Sequence, residues 1–301
     1  MKRAPSPTPD FAGPSPEALS ALLGHTPYRV VGFLGAGGMG AVWAIEHGFL
    51  KKRFALKVLH PHLAAFADRM RVEAETMGRL NHPNVVHVVD FWLSVDGRPC
   101  IVMELLQGRT LWDELAERSR LPVNEALGVT SQVMSALVAT HALGVVHRDL
   151  KPENVFLHEA RGYGRVAKVL DFGIARVLPS AHAGAPTPAA QRTITGTMVG
   201  SPRFMSPEAW GGAKLDERAD LYSVGVMLYV MLAGRGPLDA GHAAPQPLSA
   251  FPEHGISAEL DAVVVRAIQE NPDARYQTAT DFQAAIQPWL RASSTVPTGK
   301  R

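Results

Sequence analysis

The 301-residue chain has little cysteine, no long apolar run and little net charge, and each shortage excludes a class of protein. Cys100 is the one cysteine, so no disulfide can form within the chain, which is typical of a reducing, intracellular environment. The sequence contains no run of about 18 or more apolar residues, the length needed to span a bilayer. Residues 1–16 are proline-rich and lack the apolar core of a signal peptide. The net charge of +2 is small for a bulk binder of nucleic acid or membrane surfaces. We therefore expect a cytoplasmic location, no nucleic-acid partner and no membrane span in this chain.

The order of predicted elements indicates an α+β fold in two parts. Hydrophobic residues make up 46% of the chain, enough for a sizeable core. Alternating and β-branched runs predict strands, and apolar residues at helical spacing predict one helix among them. The strands are expected at 28–34, 41–47, 53–59, 85–92 and 99–105, the helix at 63–80, and later helices at 111–118, 123–143, 217–233, 257–270 and 278–290. This pattern predicts a flexible proline-rich tail over 1–26, a small antiparallel sheet domain over 27–107, a larger mainly helical domain over 108–292, and a flexible tail over 293–301.

A glycine-rich run suggests a loop that holds phosphate groups. Glycines let the backbone pass close to phosphate oxygens and direct N–H groups at them. A dinucleotide-binding fold would begin a helix at the third glycine, whereas residues 41–45 are strand-like. Taken alone, the run leaves a plain glycine-rich turn open. The residues concerned are Gly35, Gly37, Gly38, Gly40 and, two residues later, Val42.

Lys57 lies in an apolar strand and is a candidate cation for those phosphates. The alternative is an edge lysine whose stem covers apolar surface while its ammonium group reaches water. Glu73 shares a predicted helix face with Met70 and Met77, and a carboxylate on an apolar face is expected to have a partner. We therefore predict an ion pair between Lys57 and Glu73.

The most informative segment is His-Arg-Asp-Leu-Lys-Pro-Glu-Asn at residues 147–154. Asp171-Phe172-Gly173 follows, then Ser206-Pro207-Glu208, Asp220 and Arg275. With these motifs in this order, the sequence resembles the eukaryotic-type (Hanks-type) protein kinases, and more narrowly their bacterial serine/threonine branch, over roughly residues 28–290.

The resemblance implies a bilobal protein kinase fold with an ATP cleft between a small sheet lobe and a larger helical lobe. The implied function is transfer of the γ-phosphoryl group of ATP to serine or threonine hydroxyls of proteins. Asp149 is expected to orient the acceptor hydroxyl, and Lys151 to neutralise charge on the transferring group. Asn154 and Asp171 are expected to hold Mg²⁺, for which Mn²⁺ can substitute.

The resemblance also implies an adenine pocket and two structural contacts. Met103 falls at the gatekeeper position, backbone groups of Glu104 and Leu106 would bond adenine, and apolar side chains would enclose the ring. Those side chains are Val42, Ala55 and Phe156, for which ordinary core packing is the alternative. Glu208 and Arg275 match the buried ion pair of the family, and Asp220 matches the aspartate that braces the catalytic loop.

Regulation is expected in the segment from Asp171 to Glu208. Thr193 and Thr195 fall where related bacterial kinases autophosphorylate, and a phosphate there could pair with Arg148. A merely polar loop is the alternative. Homodimers that support autophosphorylation are among the partners the resemblance suggests.

The sequence departs from the family pattern at two places, and two rival functions stay open. In the first place, Ser201 replaces the usual threonine and Phe204 replaces a common tyrosine. In the second, residues 238–255 are short for the docking helix that relatives place there, so that helix is expected to be reduced or absent. A pseudokinase that serves as an interaction scaffold, and a small-molecule phosphotransferase, are the rival functions. The chain could also be the cytoplasmic part of a longer membrane-anchored protein.

Overall fold

The computed structural model describes residues 16–37, 39–160, 162, 164–172, 202–210, 215–238, 245–251 and 255–294. The chain divides into two compact units, the first ending at Gln107 and the second beginning at Gly108. Within the described ranges, no helix combines the length and the apolar character needed to cross a membrane. Gly38, Gly173, Thr193, Thr195 and Ser201 lie outside the described residues, as do residues 1–15 and 295–301 of the two predicted tails.

The first unit is built on an antiparallel five-stranded sheet with the order β1-β2-β3-β5-β4. The five predicted strands are confirmed, and the two largest differences are the later end of β1, at Gly37, and the later start of β4. That strand begins at Val88 because residues 82–85 form a turn, closed by the Val85 N–H on the His82 carbonyl at 3.1 Å. The strands are β1 (Tyr28–Gly37), β2 (Gly40–His47), β3 (Arg53–Leu59), β4 (Val88–Leu93) and β5 (Pro99–Glu104).

The two faces of this sheet carry different residues, because side chains alternate along each strand. In the register, Val42 lies opposite Lys57, and Ala55 opposite Met103, which places all four on one face. The other face forms an apolar core of buried side chains. Its strand members are Ala41, Trp43, Ile45, Phe54, Leu56, Val58, Cys100 and Val102.

Helix α1 (Pro16–Leu22) completes that core, so residues 16–26 of the predicted flexible tail over 1–26 are ordered instead. Leu19 is fully buried and Leu23 nearly so, and both belong to the same cluster as the strand residues. The segment 24–26 then turns into β1, with the Thr26 hydroxyl bonded to the Leu23 carbonyl at 2.8 Å. The proline-rich composition ends at Pro16, the first residue of this helix, and Leu19, Leu22 and Leu23 then recur at the i, i+3, i+4 spacing of an apolar helix face.

The predicted helix at 63–80 is present in two pieces. A 3₁₀ turn covers Pro61–Phe66, and α2 follows as Ala67–Arg79. Met70 and Met77 of α2 are buried, whereas Glu73 between them is half-buried. The predicted apolar face of the helix is therefore confirmed for the two methionines.

The second unit is mainly helical. Its longest buried element is α6 (Glu217–Ala233), in which nearly every side chain from Ala219 to Leu232 is buried, so the helix predicted at 217–233 is confirmed and lies in the core. A small antiparallel sheet with the order β6-β7-β8 was not predicted. The strands are β6 (Gly108–Thr110), β7 (Val155–Ala160) and β8 (Gly164–Val169), and the other helices are α3 (Leu111–Arg118), α4 (Val123–His141), α5 (Pro207–Trp210), α7 (Ala258–Ala267) and α8 (Ala279–Ser294).

The segment expected to lack a docking helix is described only in part. Residues 239–244 and 252–254 lie outside the described ranges, so the reduced helix stays a prediction there. Among the described residues of this segment, a 3₁₀ turn covers Leu248–Ala250. The buried carboxylate of Asp261 holds this turn through the Leu248 N–H at 2.9 Å and the Ser249 hydroxyl at 2.8 Å.

The contact between α1 and the sheet makes a stability prediction. Leu19→Ala removes a fully buried side chain and should lower the free energy of unfolding by about 2–5 kcal/mol in urea titration. Leu93→Ala is the matched control, since Leu93 is 50% exposed in β4 and should cost about 0.5 kcal/mol or less. Equal, small losses in both variants would show that α1 does not support the sheet.

Candidate active site

The loop of residues 147–154 is anchored by one buried carboxylate. Asp220, in the first turn of α6, is 1% exposed. Its Oδ2 accepts from the His147 N–H at 2.8 Å, and its Oδ1 from the Arg148 N–H at 2.9 Å. His141 Nε2, at the end of α4, lies 2.9 Å from Oδ2. The predicted bracing role of Asp220 is therefore confirmed, and the loop is tied to the most buried helix of its unit.

His141 is a site-supporting residue that sequence reasoning missed. Its side chain is nearly buried, and besides Asp220 its Nδ1 lies 3.5 Å from a carboxylate oxygen of Glu217. The available signal was its position at the end of helix α4, shortly before the His-Arg-Asp run. A single histidine at the end of a helix is also compatible with an exposed position, so the sequence alone did not reveal its contact with Asp220.

Asp149 and Lys151 present opposite charges side by side. The Lys151 ammonium lies 2.8 Å from Asp149 Oδ2 and 3.0 Å from Oδ1. Both side chains are partly accessible, so a substrate group could reach them. The carboxylate can accept a hydrogen bond from a hydroxyl group, and the cation beside it can neutralise negative charge. This arrangement is suited to the transfer of a negatively charged group.

Asn154 and Asp171 bring two oxygen donors to one end of the small sheet. The Asn154 Nδ2 donates to the Asp149 carbonyl at 2.7 Å and to its Oδ2 at 3.3 Å, which leaves Oδ1 to act as an acceptor. The Asn154 carbonyl accepts from the Leu170 N–H at 2.8 Å, and Leu170 joins the end of β8 to Asp171, so Asp171 lies next in the chain to a residue bonded to Asn154. Amide and carboxylate oxygens fit a hard divalent cation such as Mg²⁺, which needs few protein ligands when phosphates supply the others.

The backbone around Asp171 is held in an uncommon conformation. Asp171 has a φ of 58°, in the left-handed region that non-glycine residues seldom adopt. The next residue, Phe172, is buried and packs edge-on against the His147 ring at 4.8 Å between centroids. His147 Nε2 also bonds the Leu170 carbonyl at 2.8 Å. These contacts fix both sides of Asp171 and so support its strained backbone.

In the first unit, the glycine-rich run forms the hairpin between β1 and β2, where Gly37 pairs with Gly40. Gly40 has a φ of 155°, and a Cβ there would lie 2.1 Å from the Val58 carbonyl oxygen. This position therefore needs glycine so that β2 can approach β3. Gly38 lies outside the described residues.

Lys57 is buried in β3, on the face it shares with Val42, Ala55 and Met103. The register thus brings together four of the residues predicted to bind ATP. Glu73 is half-buried on α2, and its ion pair with Lys57 stays a prediction.

Glu104 and Leu106, the two backbone positions predicted to bond adenine, come shortly after Met103 in the chain. Glu104 ends β5, where its N–H donates to the His87 carbonyl at 3.0 Å and its Oε1 accepts from the His87 N–H at 2.9 Å. These bonds fix the position at which the chain leaves the sheet. Leu106 and, in the second unit, Phe156 are half-buried.

A buried ion pair supports the second unit, as the sequence predicts. The fully buried Arg275 guanidinium donates to Glu208 Oε1 and Oε2, both at 2.7 Å. It also donates to the Gln269 and Glu270 carbonyls at 2.7 and 2.9 Å. Burial alone would raise the pKa of Glu208, but the hydrogen bonds from Arg275 lower it, so the pair is charged at neutral pH.

Comparisons with known proteins agree with this geometry. The protein kinase domain family matches residues 28–289. The chain is 39% identical over 290 residues to the serine/threonine-protein kinase Pkn1 of Myxococcus xanthus, a match that covers 91% of this chain and 40% of that protein. It is 38% identical over 274 residues to pkn3 of the same organism, covering 86% and 49%. The chain thus spans about half or less of the length of these curated relatives.

A solved structure supports the fold. The crystal structure of the Mycobacterium tuberculosis PknI kinase domain is similar with a TM-score of 0.69 and 31% sequence identity. The match covers 87% of this chain and 96% of that one. At this identity and coverage, the likeness shows the bilobal kinase fold predicted from the motifs.

The bracing of the loop by Asp220 can be tested by an isosteric change. Asp220→Asn puts an amide NH₂ where an acceptor is needed, so one buried backbone N–H loses its partner. The free energy of unfolding should fall by about 1–3 kcal/mol in urea titration. Asp216→Asn is the matched control on the same helix, because asparagine caps a helix as well as aspartate, and it should cost less than about 1 kcal/mol. Equal effects would rule out a special role for Asp220.

Proposed function

This chain belongs to the protein kinase family, and on that basis we propose that it transfers the γ-phosphoryl group of ATP to serine or threonine hydroxyls of protein substrates. The observation that carries the proposal is the group Asp149, Lys151 and Asn154 on one loop braced by Asp220. Phosphoryl transfer depends mainly on positioning and on neutralising charge, and this group offers both.

The proposed reaction gives each residue of the loop a separate task. The acceptor oxygen attacks the γ-phosphorus, while the bond from that phosphorus to the bridging oxygen breaks and ADP leaves. Asp149 accepts a hydrogen bond from the acceptor hydroxyl, holds its oxygen in line for attack and takes its proton as the new bond to phosphorus forms. Lys151, 2.8 Å from that carboxylate, offsets negative charge on the transferring group.

The metal and the nucleotide are assigned to residues that the sequence singles out. Asn154 Oδ1 and Asp171 would hold Mg²⁺, or Mn²⁺ in its place, which when bound neutralises the phosphate oxygens. The glycine-rich run of Gly35, Gly37, Gly38 and Gly40, with Lys57 paired to Glu73, would hold the phosphates. Adenine would be enclosed by Val42, Ala55, Met103 and Phe156 and bonded by the backbone of Glu104 and Leu106.

The proposed regulation rests on Arg148. This residue has a φ of 67°, and its Nε is buried without a hydrogen-bond partner within the part of the chain that the structure describes. A buried guanidinium nitrogen favours an anionic partner. We assign that role to phosphothreonine at Thr193 or Thr195, formed by autophosphorylation between two copies of the chain.

The reaction needs ATP, which the cytoplasm supplies. We therefore place this domain in the cytoplasm, either by itself or as the cytoplasmic part of a longer membrane-anchored protein.

The catalytic assignment makes the first prediction about activity. Asp149→Asn should lower transfer of labelled phosphate from ATP with Mg²⁺ by at least about 100-fold, because the positioning carboxylate is lost. ATP binding, measured by calorimetry, should persist. Asp281→Asn, an exposed carboxylate in the first turn of α8, is the control and should keep full activity. If the wild-type chain transfers no label even after treatment with an upstream kinase, a pseudokinase scaffold replaces this proposal.

The regulatory assignment makes a second prediction about activity. Mass spectrometry of active protein should find phosphate on Thr193 or Thr195. Replacing both with alanine should reduce activity by about tenfold or more, since a phosphate paired with arginine adds charge-assisted hydrogen bonds. Thr187→Ala is the control in the same segment. Active protein with both sites unmodified would contradict the assignment.

A further inference from the structure

The turn between β2 and β3 directs two large apolar side chains into solvent. Phe49 is 89% exposed and Leu50 is 69% exposed. Adjacent exposed side chains of this size cost solubility, so a turn that keeps both is a candidate for contact with a partner. We refer to residues 47–53 as the hairpin tip.

The exposure is built into a well-bonded turn. His47 Nδ1 accepts from the Phe49 N–H at 3.3 Å and from the Leu50 N–H at 3.2 Å. The Lys51 N–H bonds the His47 carbonyl and the His47 N–H bonds the Lys52 carbonyl, both at 2.9 Å. Gly48 is tied to the start of β1 through the Pro27 carbonyl at 2.7 Å. Because the backbone is already ordered, little conformational entropy remains to be lost when the tip binds.

Exposed cations follow the two apolar side chains. Lys51, Lys52 and Arg53 are all exposed, and Arg29 on the neighbouring strand has a side chain 66% exposed. The carboxylate of Glu46 is buried beneath them, where it lies 2.5 Å from Arg29 and 3.6 Å from Arg53. Its pKa is lowered chiefly by the hydrogen bond from Arg29. One buried carboxylate among these cations leaves the tip with a positive local charge.

We propose that the hairpin tip binds the surface of an anionic lipid bilayer, with Phe49 and Leu50 inserted among the headgroups and the cations beside lipid phosphates. Apolar side chains flanked by lysine and arginine match the layered chemistry of that interface. Phe49 and Leu50 are both largely exposed, and a fluid bilayer accepts such side chains without a preformed pocket, which favours lipid over an acidic protein. The small net charge of the chain does not oppose this, since the charge that matters is local.

The test is flotation of the 301-residue chain with vesicles of phosphatidylcholine alone or mixed with phosphatidylserine. Wild-type protein should float with the mixed vesicles and less so as salt increases. Phe49→Ser with Leu50→Ser should reduce the bound fraction by about tenfold or more. Lys51→Gln with Lys52→Gln, which keeps the apolar pair, should reduce it by about tenfold or more at low salt.

A matched control lies at another turn of the same sheet. Val95, between β4 and β5, is 73% exposed, but its neighbour is Asp96 instead of a lysine. Val95→Ser should leave vesicle binding unchanged, and all variants should keep the melting temperature of the wild type because the changed side chains are exposed. Failure of wild-type protein to bind mixed vesicles, or equal binding by every variant, would overturn the proposal. Binding to an acidic polypeptide but not to vesicles would overturn it in favour of a protein partner.

Discussion

The loop of residues 147–154 depends on one buried side chain, the carboxylate of Asp220. A carboxylate with 1% exposure is costly unless its oxygens are bonded, and here they accept two backbone N–H groups and contact one imidazole nitrogen. The same bonds fix the two residues that directly precede Asp149. The site is thus placed by the most buried helix of its unit, and its geometry follows from core packing and not from the loop alone.

Near Asp220, two residues have a strained backbone with a positive φ, Arg148 and Asp171. Such conformations persist only where neighbouring contacts hold them. Arg148 is held by Asp220, and Asp171 lies between the Leu170 and Phe172 contacts of His147. His147 therefore joins the loop to the segment that carries the second oxygen donor, and the two strained residues depend on one connected set of bonds.

Much of the site could be predicted from sequence, because kinase chemistry needs particular residue types in a fixed order. The strands of the first unit were also predictable from their alternation. Helix α1 was not, since a seven-residue helix is marginal alone and gains its stability from packing of Leu19 and Leu23 on the sheet. The small sheet escaped prediction because β6 has only three residues, too few to show a period. His141 was missed because its contact with Asp220 spans 79 residues of chain.

Side chains alternate along the strands of the first sheet, so that one face packs in the core and the other carries the residues proposed to bind ATP. One face of β2 and β3 buries Trp43, Ile45 and Leu56 beneath α1, while the other carries Val42 and Lys57. A one-residue slip in register would exchange the two faces completely. Gly40 opposes such a slip, because only glycine fits where β2 begins against the Val58 carbonyl, and this pins the strand pairing at the glycine-rich turn. Gly40 thus also fixes which side chains lie on the face proposed to bind ATP, so a substitution there would disturb both the fold and the proposed ATP site.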